Sequence, residues 1–155
     1  MNESRPPTLT ALPSYLAGHL ARIGHRLLAG ELAARELRLP HFAVMTALAD
    51  FGSLAQHQLA DRLGLNRSHV VGYLDLLESR SLVRRERDPD DRRRMRVTLT
   101  PEGHDLHAHL ASVAHRSQRA LLGALDESEQ AVLVDLMRRV LEADDSGEVT
   151  ARSGE

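Results

Sequence analysis

The sequence predicts a mostly α-helical protein carrying one small β-hairpin, in the pattern of a winged helix-turn-helix flanked by long helices. Three observations carry this. Aromatic residues are 3% of the chain while hydrophobic residues are 42%, so the core must be built from Leu, Ala and Val, which favours helices over aromatic-rich strands. Apolar residues recur at three- and four-residue steps at both ends of the chain. One stretch only, Met95 to Leu99, switches to a period of two. At 155 residues the chain has the size of a single domain.

The elements follow in order. Residues 1–10 are polar and Pro-rich and read as a loose tail. Leu12, Leu16, Leu20, Ile23 and Leu27 form one stripe on a helix spanning about 11–36. Pro40 suits the first turn of the next helix, which carries Phe42, Val44, Met45 and Leu48 and ends near Gly52. Ser53 with Gln56 makes a capping-box pattern that opens a short helix closed by Gly64. Asn66 is a good N-cap for a second short helix reaching about Arg80, with Val70, Leu74 and Leu77 turned inward. A wing over about 82–99 follows: Leu82 and Val83 begin a strand, the Asp88–Asp91 cluster turns it, and Met95, Val97 and Leu99 face inward on the return. Thr100-Pro101 caps a helix to about 122. Asp126 with Glu129 opens the last helix, to about 143, lined by Val132, Leu133, Leu136, Val140 and Leu141, and residues 144–155 are a polar tail. The span 11–143 reads as one domain, with the helix-turn-helix over about 53–80.

Several chemistries are excluded. With no cysteine there is no disulfide, thiolate metal site, Cys nucleophile or thiol sensor. With no lysine there is no Schiff base. No P-loop, GxGxxG, HExxH or nucleophile elbow occurs, so the chain is not expected to be an enzyme and no cofactor is expected. No apolar run approaches membrane-spanning length, and MNESRPPTLT lacks an apolar signal segment, so a cytoplasmic protein without membrane contact is expected.

The helix pair and hairpin point to DNA. In such a unit the first short helix braces the second, whose N-terminal half enters the major groove. A 100° wheel puts Ser68 and Gly72 outward, with Arg67 and His69 at the edges. Arg67 can fork onto guanine or a phosphate, and Gly72 lets DNA approach closely. Ser53, at the start of the first short helix, belongs to the same DNA-facing set. The net charge is −2, yet residues 80–96 hold eight Arg against four acids, a local +4 on a remainder of −6. A basic wing on an acidic body is the footprint of a DNA reader. An architectural DNA protein would carry positive charge throughout.

The run Asp88-Pro-Asp-Asp-Arg-Arg-Arg-Met-Arg-Val-Thr-Leu-Thr-Pro-Glu-Gly103 resembles the wing of the MarR (multiple antibiotic resistance regulator) family, with Asp91-x-Arg93 at its tip and Leu99-Thr100-x-x-Gly103 opening the next helix. Gln56, Leu59, Ala60, Leu63, Gly64 and Leu65 resemble the family's first recognition-domain helix and turn. The resemblance covers about 12–143. It implies a sequence-specific transcriptional regulator, most often a repressor, whose homodimer interlocks the first and last two long helices on a pseudo-palindromic operator. It implies that Arg93 enters the minor groove with Asp91 orienting it by an ion pair, and that Arg92 and Arg94 lie on phosphates or the same groove. From the residues alone, helices 11–36, 101–122 and 126–143 carry more apolar surface than the winged segment can cover. That surface is met either by a second copy or by the helices packing on one another.

Family members commonly release DNA on binding a small ligand. Tyr15, His19, Arg22, His41 and Met45 lie on helices bordering the implied pocket, where Arg22 could pair with an aromatic or anionic effector such as an aryl carboxylate. A zinc-responsive variant is the alternative. His104 and His107, three apart on one helix face, are its candidate ligands, with no third ligand close in sequence. The bland reading of that cluster is a surface or interface patch without metal.

Overall fold

A computed structural model describes residues 5–145. The element order is α1 (Pro7–Thr10), α2 (Pro13–Ala33), α3 (Leu39–Phe51), β1 (Leu54–Ala55), α4 (Gln56–Leu63), α5 (Arg67–Ser79), β2 (Val83–Arg87), β3 (Met95–Leu99), α6 (Pro101–Leu121) and α7 (Glu127–Asp145). The fold is thus mainly helical with one small antiparallel sheet. Within the span read as one domain, two compact units separate between Gln118 and Arg119.

In the first unit, Leu28, Leu32, Val44, Met45, Leu48, Leu59, Val70, Leu74, Leu77, Val97 and Leu110 belong to one buried cluster. α5 contributes Val70, Leu74 and Leu77, each with no exposed surface, and packs on α3, α4 and β2. Its start is fixed by Asn66, whose Oδ1 accepts the Ser68 N–H at 2.9 Å, satisfying a donor that the helix leaves open. Gly64 closes α4 at φ 59°, and the Leu65 N–H reaches the Ala60 carbonyl. This left-handed turn favours glycine because a Cβ would crowd the following carbonyl. The α4–α5 connection is thereby held to residues 64–66.

Four expectations are corrected. The residues read as a loose N-terminal tail include one helical turn, Pro7–Thr10, and the first long helix is Pro13–Ala33 rather than 11–36. Pro13 sets its start, and Glu36 in the left-handed region, with the Leu37 N–H on the Leu32 carbonyl, ends it. The capping box before α4 lies two residues later than Ser53–Gln56: the Ala55 N–H donates to Gln58 Oε1 at 2.9 Å. The helix cannot begin at Ser53 because Leu54 and Ala55 pair with Val97 and Arg96 as a third strand. The sheet order is β1-β3-β2. Met95 does not face the core but is 39% exposed, since its cross-strand partner is Arg87, at the turn end of the hairpin, farthest from the base of the wing.

The wing is tied to α6 at its base. The Leu82 carbonyl accepts the Thr100 N–H at 3.1 Å, and Thr100 Oγ1 caps α6 by accepting the Gly103 N–H at 3.0 Å. A Cβ on Gly103 would lie 2.0 Å from that same Leu82 carbonyl oxygen. Backbone cannot yield there as a side-chain end could. Gly103→Ala is therefore expected to destabilise the protein by about 1–3 kcal/mol, the range for overpacking, measured as a lowered urea midpoint. An unchanged midpoint would show that α6 can move off the wing freely.

Candidate nucleic-acid interface

On α5 the buried stripe leaves Arg67, Ser68, His69, Val71, Gly72 and Asp75 exposed. Arg67 reaches back to Asp61 on α4, Nη2 to Oδ1 at 3.3 Å. Both ends of this ion pair are solvated, so it biases the guanidinium's position more than it stabilises the fold. A Cβ added at Gly72 would meet nothing within 4 Å, so the helix surface there is open to an approaching partner.

Apart from Arg84, which stands exposed on β2 with its Nε 2.7 Å from Glu86 Oε1, the arginines between 80 and 96 fall into two groups. Three hold the structure. Arg80 donates to the Arg35 carbonyl at 2.5 Å and to Glu36 Oε2 at 2.6 Å, fastening the end of α2. Arg85 joins β2 to α5: Nε donates to Glu78 Oε2 at 2.8 Å, Nη2 to Asp75 Oδ1 at 2.7 Å, and the Arg85 backbone N–H to Glu78 Oε1 at 3.0 Å. The guanidinium holds the Glu78 carboxyl below its ordinary pKa, and Glu78 in turn raises that of Arg85. Arg96 ties β3 to the start of β1, donating to Ser53 Oγ at 3.1 Å and the Ser53 carbonyl at 3.0 Å. Ser53 thus anchors the wing.

The second group is at the tip. Arg87, Arg92 and Arg93 are exposed and, among the described residues, have no ion pair. Asp91 does not pair with the Arg93 guanidinium. Its Oδ1 accepts the Arg93 backbone N–H at 3.0 Å, and its Oδ2 faces Arg94 Nε at 3.2 Å. The reason is local: a carboxylate at a turn reaches the amide two residues on most easily, and the three-residue spacing brings Arg94 to its other oxygen. Arg93 is held by its backbone while its side chain stays free. Sequence reading missed Arg87 and Val71. The signal for Arg87 was its place at the strand end, one period beyond Arg85.

The five residues expected around an effector do not form one site. Tyr15, His19 and Arg22 gather on α2, with Tyr15 and His19 ring centroids 4.4 Å apart and Arg22 Nη2 2.6 Å from His19 Nδ1. Partial desolvation, then Arg22, lowers the His19 pKa. Met45 is fully buried in the core and lines no accessible pocket, because α3 turns it inward with Val44 and Leu48. His41 is also buried, but it borders a cleft of about 790 Å³ beside α5, together with Arg38, His69, Gly72 and Tyr73. Its Nδ1 accepts the Arg38 N–H at 2.9 Å, capping α3, and its ring meets Tyr73 edge-on at 5.0 Å.

His107 packs within the unit, stacked on Phe42 at 5.7 Å and 3.2 Å from Thr46 Oγ1. Among the described residues no three His, Asp or Glu side chains converge as a metal site. That leaves His104 and His107 without a third ligand there.

A model of the MarR family matches residues 37–95. The transcriptional regulator HosA of Escherichia coli O111:H- is 34% identical over 125 residues, 81% of this chain and 87% of HosA. The HTH-type transcriptional repressor NicR of Pseudomonas putida is 26% identical over 133 residues, 83% of this chain and 84% of NicR. The PcaV transcriptional regulator of Streptomyces coelicolor, crystallised with its natural ligand, is 35% identical with a TM-score of 0.75, covering 90% of this chain and 99% of that one.

Burial lowers the pKa of both His41 and His107 from 6.5. The unfolded chain therefore binds protons that the fold refuses. Stability should be full above about pH 6.5 and fall as the pH drops through the interval below it. His41→Gln keeps an acceptor for the α3 cap but cannot titrate. Urea midpoints followed from about pH 8 to pH 5 should show a smaller acid-side loss in that variant, with a residual from His107 and the exposed His19. Equal losses would mean that His41 does not contribute to the acid-side decline.

Proposed function

The chain belongs to the MarR family of transcriptional regulators, and we propose that it acts as a homodimeric repressor on a pseudo-palindromic operator, released by a small aromatic acid. One observation carries the DNA reading: α5 keeps its N-terminal outward face exposed while, among the described residues, the wing holds Arg87, Arg92 and Arg93 without an ion pair at its tip. Arg67, Ser68, His69 and Gly72 are the major-groove set. Arg92 and Arg93, with Arg94 beside them, serve the phosphates and the minor groove, where a narrow A·T groove attracts guanidinium. Asp91 sets the tip's backbone. The name of the relative NicR, a repressor, supports repression.

The partner copy is argued from uncovered apolar surface. On α1 and α2, Leu9, Leu12, Leu16, Leu20, Ile23 and Leu27 are all exposed; the residues α2 buries are Gly24, Leu28 and Leu32 instead. The stripe read from the sequence therefore faces away from the first unit's core. α7 buries no residue and exposes Val132, Leu136, Met137, Val140 and Leu141. Contiguous apolar faces on this scale belong against a partner. No described helix is long and apolar enough to cross a membrane.

For the effector, Tyr15, His19 and Arg22 supply what an aryl carboxylate needs: a ring face, a hydrogen-bonding imidazole and a guanidinium. That the similar PcaV was solved with a natural ligand supports a ligand-responsive protein.

Arg93→Ala is expected to weaken operator binding and flatten its salt dependence by about one counterion without lowering the melting temperature. Arg96→Ala should lower the melting temperature, since it frees Ser53 and the wing. Fluorescence anisotropy across salt concentrations, with thermal melts alongside, separates the two; matching losses on both scales would refute the division of arginines. Sedimentation should give about twice 17.2 kDa, and Leu136→Asp should shift it toward the monomer by placing a charge in an apolar interface. Aromatic acids should release DNA from the wild type but not from Arg22→Ala, and release that persists in the variant would place the effector elsewhere.

A further inference from the structure

We infer that Val71 reads the C5-methyl group of a thymine in each operator half-site. The inference rests on the proposed entry of α5 into the major groove and assigns a base to a side chain there. Val71 follows the buried Val70 and lies 100° around the helix from it. It is 41% exposed on a surface otherwise made of Arg67 and Ser68 one turn before, Gly72 beside it and Asp75 one turn after. In residues 52–100, Val71 and Met95 alone among the large apolar side chains are exposed to this degree.

Neither packing nor local propensity accounts for valine here. The side chain is not part of the buried cluster, and valine is a weaker helix former than alanine or the straight-chain polar residues. A solvent-facing helix position would ordinarily be polar. What valine offers is two methyl groups on a stiff χ1, an apolar surface presented with little rotamer entropy to lose. The major groove has one apolar feature to match it, the thymine methyl. The open space where Gly72 would carry a Cβ leaves room for a base edge to come alongside.

The geometry also places the base. Val71 is four residues from Arg67, about 6 Å along the axis at ~1.5 Å per residue. With ~3.4 Å between base pairs, the thymine should lie one or two steps from the base pair that Arg67 contacts.

The test uses the full-length protein and an operator selected from a random-sequence duplex pool. Each thymine is replaced in turn by deoxyuridine, which lacks only the methyl group, and the affinities of wild type and Val71→Ala are compared. The expected result is one thymine per half-site whose replacement weakens wild-type binding by about fourfold, the effect of burying one methyl group. The same replacement should leave Val71→Ala binding unchanged, and Val71→Ala should bind the thymine operator about fourfold more weakly per half-site. The exposed position predicts an unaltered melting temperature for the variant. If every deoxyuridine effect is the same in both proteins, the assignment to Val71 falls while operator reading stands. If no sequence is enriched from the pool, operator reading falls, and the inference with it.

Discussion

The burial of Val70, Leu74 and Leu77 is the constraint on which the rest of the molecule depends. These three side chains have no exposed surface, and together they fix the rotation of α5 about its own axis. With one stripe committed to α3, α4 and β2, every other side chain on the helix has its direction decided. A rotation of one residue would expose the stripe and bury Val71 and Asp75, leaving a carboxylate in the core. The Asn66 cap and the left-handed Gly64 then fix where the helix starts. The outward face follows from this apolar accounting, before any contact with DNA is considered.

The charges are arranged on that frame in two ways. Arg80, Arg85 and Arg96 are part-buried and each joins segments far apart in sequence or in different elements. Charge-assisted hydrogen bonds in such places hold orientation more firmly than exposed pairs do. Arg85 matters most to the interface, because it connects the wing to α5 and so sets the two candidate DNA-contacting parts at a fixed angle. Apart from Arg84 on β2, which pairs with Glu86, the arginines left over sit at the tip, where Asp88 and Asp91 organise the backbone through its amides and leave the Arg87, Arg92 and Arg93 guanidiniums in solvent. A wing of this kind has a main chain tied by hydrogen bonds at its turn and charged ends exposed to solvent, which suits contact with phosphates.

Much of this was legible in the residues. The helix-turn-helix, the hairpin, the caps at Asn66, Thr100 and Asp126, and the closing Gly64 were all marked by local patterns, because each is satisfied within a few residues. β1 was not legible: Leu54 and Ala55 become a strand only because β3 lies beside them, and two residues carry no period. That strand moved the start of α4 and gave Ser53 its role as an anchor. The effector set failed at Met45 for the same reason, since a residue on a suitable helix can still face the core.

The sequence by itself determined the six longer helices to within a few residues, the main turns, and that a basic hairpin follows a helix pair. Those properties rest on backbone propensity, capping and short-range periodicity. It also identified the residue types able to meet DNA. Only the tertiary structure decided which arginines are spent on the fold and which are free, that Asp91 holds Arg94 rather than the Arg93 side chain, and that the stripe of α2 faces away from its own core. The physical reason is that an arginine's role depends on which carboxylate or carbonyl the fold brings within about 3 Å of it, and in the cases of Arg80 and Arg96 those partners lie more than forty residues away.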